Sequence, residues 1–380
     1  MMIYLLYLSL LGLLYVYLGY PLIVCFLSWL RPNPVVKEPC TPKVSILIAA
    51  FNECDVISAT LKNKLSLDYP AGLIEIIVVS DGSDDGTDEI VREFQDRGVR
   101  LLRQEPRAGK TSALNMAVPQ ASGELLVFSD ANSLYDSQAL LKLVANFSDT
   151  RVGYVTGKMI YTNADGKPAG DGCSAYMKYE NVLRDAETAL GSVVGVNGGI
   201  DAMRKDLYRS LKPDQLPDFV QPLKVVEQGY RVIYEPEALL QEDVLLADGD
   251  EYRMRVRVAL RAFWALSDMR GLLLSKTNLL FSWQLWSHKL LRYLCFIFLV
   301  LAFISNLLLL NSGLGFALLF IVQCTLYVIA LSEPWLKKKS ISHKILTFIR
   351  YFYLLNRASA HAFYKFLRGQ KQVTWTPRKG

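Results

Sequence analysis

The chain has 380 residues, 52% hydrophobic and 21% charged, with a formal net charge of +6 and a mean hydropathy of +0.21. It is long enough for a full catalytic domain with apolar segments to spare, and too apolar for an ordinary soluble protein. The modest positive charge suits a face near anionic lipid and gives no reason to invoke nucleic acid.

Residues Ile3 to Leu30 carry no charge, and the run exceeds the roughly 20 residues that cross a bilayer. It has neither the basic start nor the small-residue cleavage site of a signal peptide, so a retained anchor over 1–30 is expected. The first cations, Arg31, Lys37 and Lys43, follow the span. That bias puts the N-terminus outside and the next domain in the cytoplasm. Cys25, Cys40, Cys54, Cys173, Cys295 and Cys324 have no paired spacing, which argues against a disulfide framework or a zinc site.

Residues 40–267 alternate strand and helix signals, the pattern of an α/β domain. Val44–Ala49 and Ile74–Val79 are continuous apolar runs, as for strands buried on both faces of a parallel sheet. A helix is expected over Asp88–Gln95, a third strand over Val99–Leu102 and a fourth over Leu125–Phe128. Asn52 and Glu53 follow the first strand, Asp81, Asp84 and Asp85 the second, and Asp130 the fourth. Ligands of open α/β sheets bind at that carboxyl edge. Each polar cluster alone reads as a turn; together they predict a carboxylate-lined crevice suited to a divalent cation and the phosphates it neutralises.

Beyond the domain, residues 268–289 set Trp283, Trp286 and several leucines among Lys276, Gln284 and His288, an amphipathic pattern for the membrane surface. Leu290–Leu310 and Gly313–Leu331 predict a transmembrane hairpin over 290–332, and Lys337, Lys338 and Lys339 after it belong on the cytoplasmic side. In 345–367, Arg350, Arg357, His361 and Lys365 interrupt an apolar helix. Each charge at mid-bilayer costs about 2.5–3.5 kcal/mol, so an interfacial or re-entrant helix is preferred there to a third C-terminal span. Residues 368–380 form a basic cytosolic tail. Trp375 in it reads either as a cover for the crevice or as a headgroup anchor. Tyr176, Tyr179 and Glu180 share a helical face that reads as acceptor groove or as core.

Four stretches, "AAFNE", "VVSDGSDDGT", "RAGKTSALN" and "VFSDANS", in this order and at these separations, resemble the nucleotide-binding half of the family 2 inverting glycosyltransferases. The resemblance covers about residues 43–263. It implies a GT-A fold, a Rossmann-like mixed sheet with helices on both faces. It also implies that Ala50, Asn52 and Glu53 face the nucleoside, that Asp81 binds the base and that Lys110 stands near the donor. Asp130 matches the metal-binding Asp-x-Asp signature, and Asn132 departs from it. An amide oxygen can coordinate Mg²⁺ or Mn²⁺ but brings no charge, so the metal would lean more on donor phosphates.

In "GSVVGVNGGIDAMRKDLY", Gly198 and Gly199 read as backbone open to a sugar or as a tight turn, and Arg204 as an acceptor anchor or an exposed helix residue. Asp218 stands eleven positions before Gly229, the family's spacing for its general base. Pro217 replaces a second acid there and leaves Asp218 without a like-charged neighbour. Processive members carry Gln-x-x-Arg-Trp; the matching stretch places Met254, Arg257 and Val258. Arg253, Arg255, Arg257 and Arg261 read either as donor-side cations, Arg257 foremost, or as a lipid-facing basic stripe, and the missing tryptophan counts against polymer synthesis.

The expectation is a metal-dependent hexosyltransferase anchored in a bacterial inner membrane with its catalytic domain in the cytoplasm. Its partners would be membrane lipids, a nucleotide-sugar, UDP-sugar ahead of GDP-sugar, and a lipid-linked or membrane-associated acceptor in envelope or exopolysaccharide assembly. A processive polysaccharide synthase and a non-catalytic nucleotide-sugar sensor or scaffold are the alternatives.

Overall fold

A computed structural model describes residues 1–162, 172–243, 248–338 and 344–374. The strands are β1 (Val44–Ala50), β2 (Ile74–Asp81), β3 (Val99–Gln104), β4 (Leu125–Asp130), β5 (Leu134–Tyr135), β6 (Val152–Thr162), β7 (Ile200–Arg204) and β8 (Arg231–Asp243). The helices that matter below are α1 (Met2–Leu30), α2 (Ile57–Leu65), α3 (Thr87–Arg92), α4 (Lys110–Ala117), α5 (Ala139–Ala145), α6 (Gly172–Leu190), α7 (Pro217–Glu227), α8 (Asp248–Asp268), α9 (Leu279–Tyr293), α10 (Cys295–Leu308), α11 (Leu314–Lys338) and α12 (Lys344–Leu367).

Among the described residues the strands form one mixed sheet in the order β3-β2-β1-β4-β7-β6-β8-β5. Strands β1 to β4 are parallel, β7 runs against both β4 and β6, and β8 lies parallel to β6. All seven residues of β1 are buried, because helices cover both faces of its uninterrupted apolar run. Alternate side chains divide between two cores. Leu47 and Ala49 join Val79, Leu114 and Phe128 under α4 and α7. Ile46 and Ile48 join Leu61, Val91 and Leu140 under α2, α3 and α5. The parallel strands therefore deliver Ala50, Asp81 and Asp130 to one edge. The antiparallel β7 starts there, since Ser129 pairs with Ile200.

Two described helices are long and apolar enough to cross a membrane, Met2–Leu30 and Leu314–Ser332, or three if the bent pair α9–α10 is one span. This differs from the straight span expected over 290–310. The helix bends by 57° between Tyr293 and Cys295, and the 14 residues of α10 rise only about 21 Å. The cause is polar: Arg292 pairs with Glu180 of α6 and His288 sits between Glu180 and Glu187, which holds α9 on the catalytic domain.

Helix α12 runs unbroken and packs along α8, with Ala358 and Ala362 against Val256, Ala259, Leu260 and Phe263. His361 and Arg357 face α8 as well. His361 Nδ1 lies 3.0 Å from Tyr252 Oη, and the Arg357 guanidinium stands 5.0 Å over the Tyr252 ring. The tail is described to Thr374, where Gln370 accepts from Trp264 Nε1 at 2.8 Å and Lys371 pairs with Asp214. Trp375 and the rest of the basic tail lie outside the described residues.

Candidate active site at the carboxyl edge of the sheet

The loop after β1 passes through Asn52 at φ 54°, a left-handed conformation that asparagine tolerates better than most side chains. Asn52 Nδ2 donates to Asp84 Oδ1 at 2.8 Å, and the Asp84 amide donates back to Asn52 Oδ1 at 3.0 Å. Asp85 accepts from the Cys54 and Thr87 amides at 3.1 and 3.0 Å. Burial opposes its charge, yet bonds from Thr87 and Cys54 hold its carboxyl down to about 2. Asp84 and Asp85 thus tie the first two loops together, so less of the predicted carboxylate lining is open than the sequence suggested. Glu53 stays on the lip, its amide donating to Thr87 Oγ1 at 2.9 Å.

Asp81 is fully buried. It accepts from Gln104 and from the Ala108 and Gly109 amides at 2.8 and 2.9 Å, with Arg107 Nε 3.6 Å away. With these bonds Asp81 fixes the loop that starts α4. What the lip offers is Arg107, whose guanidinium lies 3.3 Å over the Phe51 ring.

Lys110, first residue of α4, reaches across to ion-pair with Asp130 at the end of β4. Burial disfavours its ammonium, but Asp130, Asp218 and Asp201 outweigh that and raise its pKa. The turn bearing Asp130 and Asn132 is pinned from α2. Thr60 donates to the Ala131 carbonyl at 2.6 Å, and the fully buried Lys64 donates to the Ser133 carbonyl at 2.6 Å. Lys64 also lies 3.4 Å over the Tyr135 ring, and Tyr135 Oη donates to the Gly199 carbonyl at 2.9 Å. Turn and glycine-rich segment are thereby fastened to each other.

Gly198 has φ 86°, and a Cβ there would sit 2.5 Å from Asp218 Oδ2; one on Gly199 would sit 3.6 Å from Asp130 Oδ2. Both glycines therefore lie between the two carboxylates. Asp218 opens α7, just after Pro217, and its Oδ1 is buried without a hydrogen bond. Asp201 of β7 contributes a second such oxygen, also Oδ1. Its Oδ2 accepts from Tyr154 at 2.9 Å and from the Gly198 amide at 3.1 Å. Burial pushes the Asp201 carboxyl up to about 7, with the Asp218 charge adding and bonds from Thr156 and Tyr154 opposing. This corrects the reading of Pro217: Asp218 does have a like-charged neighbour, brought by β7 rather than by the adjacent residue. Lys110, Tyr154, Gly198, Asp201, Asp218 and Gln221 surround one small pocket.

Arg261 completes this wall, donating to the Gln215 carbonyl at 2.7 Å and to Thr111 Oγ1 at 3.4 Å. Burial lowers its pKa, and Asp218 works the other way. Arg257 stands one turn earlier on α8, while Arg255 turns away to Tyr351 Oη at 2.6 Å. Arg204 is not brought to the crevice. It lies at the far end of β7, opposite Leu125, where it donates to the Val152 and Phe147 carbonyls at 2.9 and 2.7 Å.

Sequence reasoning thus missed Asp201, Lys64, Arg107 and a specific place for Arg261. Asp201 left a signal, a lone acid inside the apolar strand Ile200-Asp201-Ala202-Met203; a buried charge without a partner nearby in sequence asks for one in space. As to a metal, no three His, Cys, Asp or Glu side chains among the described residues cluster to hold one. Asp130 is 36% exposed and Asn132 half-buried. One carboxylate with an amide two residues on fits a divalent cation whose remaining ligands come from the substrate.

Residues 45–211 match the model of Glycosyl transferase family 2. Similar curated proteins include the poly-beta-1,6-N-acetyl-D-glucosamine synthase of Staphylococcus epidermidis, 28% identical over 235 residues, which are 58% of this chain and 57% of that one. The corresponding synthase of Staphylococcus aureus (strain MSSA476) is 29% identical over 237 residues, 60% and 57% of the two chains. The chain thus spans little more than half the length of these relatives. Among solved structures, the mannosyltransferase PcManGT from Pyrobaculum calidifontis, in complex with GDP-Man and Mn²⁺, matches with a TM-score of 0.75 at 23% identity, over 96% of this chain and 99% of that one. That likeness shows a shared fold.

Proposed function

The chain carries a Glycosyl transferase family 2 domain, and on that premise we propose that it is an inverting glycosyltransferase moving a sugar from a nucleotide donor to an acceptor held at the membrane. The observation that carries the reading is the unsatisfied Asp218 Oδ1, buried in the same pocket as Lys110, Asp201 and Gly198. Buried carboxylate oxygens are ordinarily hydrogen-bonded, so this one is placed to receive a hydroxyl that arrives with the acceptor.

In the proposed step, Asp218 takes the acceptor's hydroxyl proton while that oxygen bonds to the anomeric carbon. The bond from this carbon to the diphosphate breaks on the opposite face, and its electron pair leaves with the diphosphate. Lys110 and Arg261 set fixed positive charge where the leaving diphosphate gathers negative charge. A divalent cation, Mg²⁺ or Mn²⁺, would be held by Asp130 and Asn132 and supply further charge against the diphosphate oxygens. Ala50, Asn52 and Glu53, with Arg107 over Phe51, form the nucleoside side, and Asp81 acts by holding the loop that presents Lys110. Arg257 is assigned to the donor side, next to Arg261. The cytoplasmic placement rests on Arg31, Lys37 and Lys43 after α1.

UDP-sugars come before GDP-sugars as donors because the sequence relatives are named for a polymer of N-acetyl-D-glucosamine, whereas the fold neighbour was solved with GDP-Man at lower identity. The relatives' names also favour a second reading, processive synthesis, which products longer than one added sugar would establish.

The test is release of nucleoside diphosphate from a panel of UDP- and GDP-sugars by the full chain in membrane extract with Mg²⁺ or Mn²⁺. Asp218→Asn is expected to lower release by about 10²–10⁴-fold while leaving donor binding intact. Donor binding with equally little release by wild type and variant defeats the assignment and favours a nucleotide-sugar sensor or scaffold.

A further inference from the structure

A second cavity, of about 460 Å³, opens between α1, α6, α9 and α12, walled by Tyr17, Tyr176, Tyr179, Lys289, Arg292 and Tyr351. At Tyr17 and Leu18 it meets an apolar groove that runs up α1 past Leu14, Leu10 and Tyr7. One end of the combined space thus carries Lys289 and Arg292 in a largely aromatic, partly open wall. The other lies along a helix apolar enough to cross a membrane.

The charges at the Lys289 end do not balance. Glu180 is taken by Arg292 and by His288 Nε2 at 3.3 Å. Glu187 is taken by His288 Nδ1 at 2.7 Å, by Tyr20 Oη and by the Val194 amide at 3.1 Å. Arg184 is used on Asn181 Oδ1 at 2.8 Å and the Gly195 carbonyl at 3.3 Å. Lys289 is left over. Among the described residues its ammonium has neither a hydrogen bond nor a carboxylate partner, and its ring neighbour is Phe219 at 6.0 Å. Lys289 is half-buried, and around it three cations, Arg184, Lys289 and Arg292, face two carboxylates, Glu180 and Glu187, so an anionic ligand offsets the surplus positive charge.

The position of Lys289 links the cavity to the candidate active site. Its Nζ packs on Gly195, 2.2 Å from where a Cβ there would be, and Gly198, three residues on, packs on Asp218. Phe219 follows Asp218 directly in the chain.

We infer that this cavity binds the phosphate-bearing headgroup of an anionic lipid, with Lys289 as its counter-charge and the lipid chain in the groove along α1. The bound lipid lies beyond the Gly195–Gly198 segment from Asp218, where a headgroup substituent reaches toward the proposed base. Taking that lipid as the acceptor rests on the transferase reading; the binding site does not.

The experiment is equilibrium binding of tritiated farnesyl phosphate to the full chain in a neutral maltoside detergent, with farnesol and inorganic phosphate as competitors. Saturable binding is expected, with inorganic phosphate at hundredfold excess displacing little of it. Lys289→Gln should weaken binding tenfold or more, Lys289→Arg should stay within threefold of wild type, and farnesol should bind wild type and Lys289→Gln alike. Ser359→Phe, which fills the cavity wall without changing charge, should weaken farnesyl phosphate and farnesol together. Nucleoside diphosphate binding, unchanged in each variant, checks folding. Undiminished binding to Lys289→Gln overturns the inference, and inorganic phosphate competing as well as the lipid replaces it with a soluble-phosphate site. Asp218→Asn separates the two proposals: it should bind the lipid as wild type does while losing turnover. Retained turnover in Asp218→Asn beside Lys289-dependent binding removes the assignment of Asp218 as base alone, and no turnover by the wild type beside that binding removes the transferase reading alone.

Discussion

Asp201 and Asp218 come from segments 17 residues apart in sequence, and each carries one buried oxygen that nothing satisfies. The pH dependence of Asp201 follows from its folded-state pKa of about 7 against roughly 3.9 in an unfolded chain. Between those values the native state keeps a proton that the unfolded state releases, so stability falls as pH rises from about 4 to 7 and levels off above. In Asp201→Asn the amide oxygen can still accept from Tyr154 and Gly198, and no charge is buried. Thermal unfolding of the full chain in detergent should show a flatter profile over that window, and a gain of at most about 4 kcal/mol at pH 8. An unchanged slope would place the titration elsewhere. Activity should fall in the same variant, because the field around Asp218 changes while the residue itself remains.

At the scale of elements, legibility depended on whether the cause of an element was local. Strands β1, β2 and β4 could be read from continuous apolar runs, since burial on both faces leaves no alternation. The turn after β4 could be read from Asp130 and Asn132, but not the reason it holds its shape: Lys64 looks like a surface residue of a helix and is fully buried under that turn. Asp201 was hidden for the same reason, its hydrogen-bond partner Tyr154 arriving from β6 and its like-charged neighbour Asp218 from α7. The bend between α9 and α10 was hidden because the apolar run continues while ion pairs to α6 turn the helix. Helix α12 was half legible. Its charges ruled against a lipid-only environment, and the structure supplies α8 as the surface they lean on. Ala362, fully buried against that surface, gives the check. Ala362→Leu should cost about 1–3 kcal/mol by overpacking, read as a lower melting temperature in detergent. Tyr364→Leu on the exposed face of the same helix should stay within about 0.5 kcal/mol. Equal effects would mean that α12 does not pack on α8 in solution.

For the whole molecule, the membrane helices and the crevice constrain each other. The carboxyl edge of the sheet carries Lys110, Arg261 and the candidate carboxylates, which under the proposed function meet a nucleotide donor that a cell supplies on its cytoplasmic side. Cations follow α1 at Arg31, Lys37 and Lys43, and α11 ends at Lys337 and Lys338. The expected orientation puts both flanks on the inner face and, if α9–α10 crosses as one bent span, the turn Leu310–Ser312 between α10 and α11 toward the other side. In a background with the native cysteines replaced by alanine, Asn311→Cys should react with a membrane-impermeant maleimide in intact spheroplasts. Arg97→Cys, on the exposed surface before β3, should react only after lysis. Labelling at both positions only after lysis would make α10 a helix that enters and leaves on one side, with the bend at Leu294 as its cause. Labelling of Arg97→Cys in intact spheroplasts would put the crevice outside, away from any cytoplasmic donor, and the proposed function would fall with it.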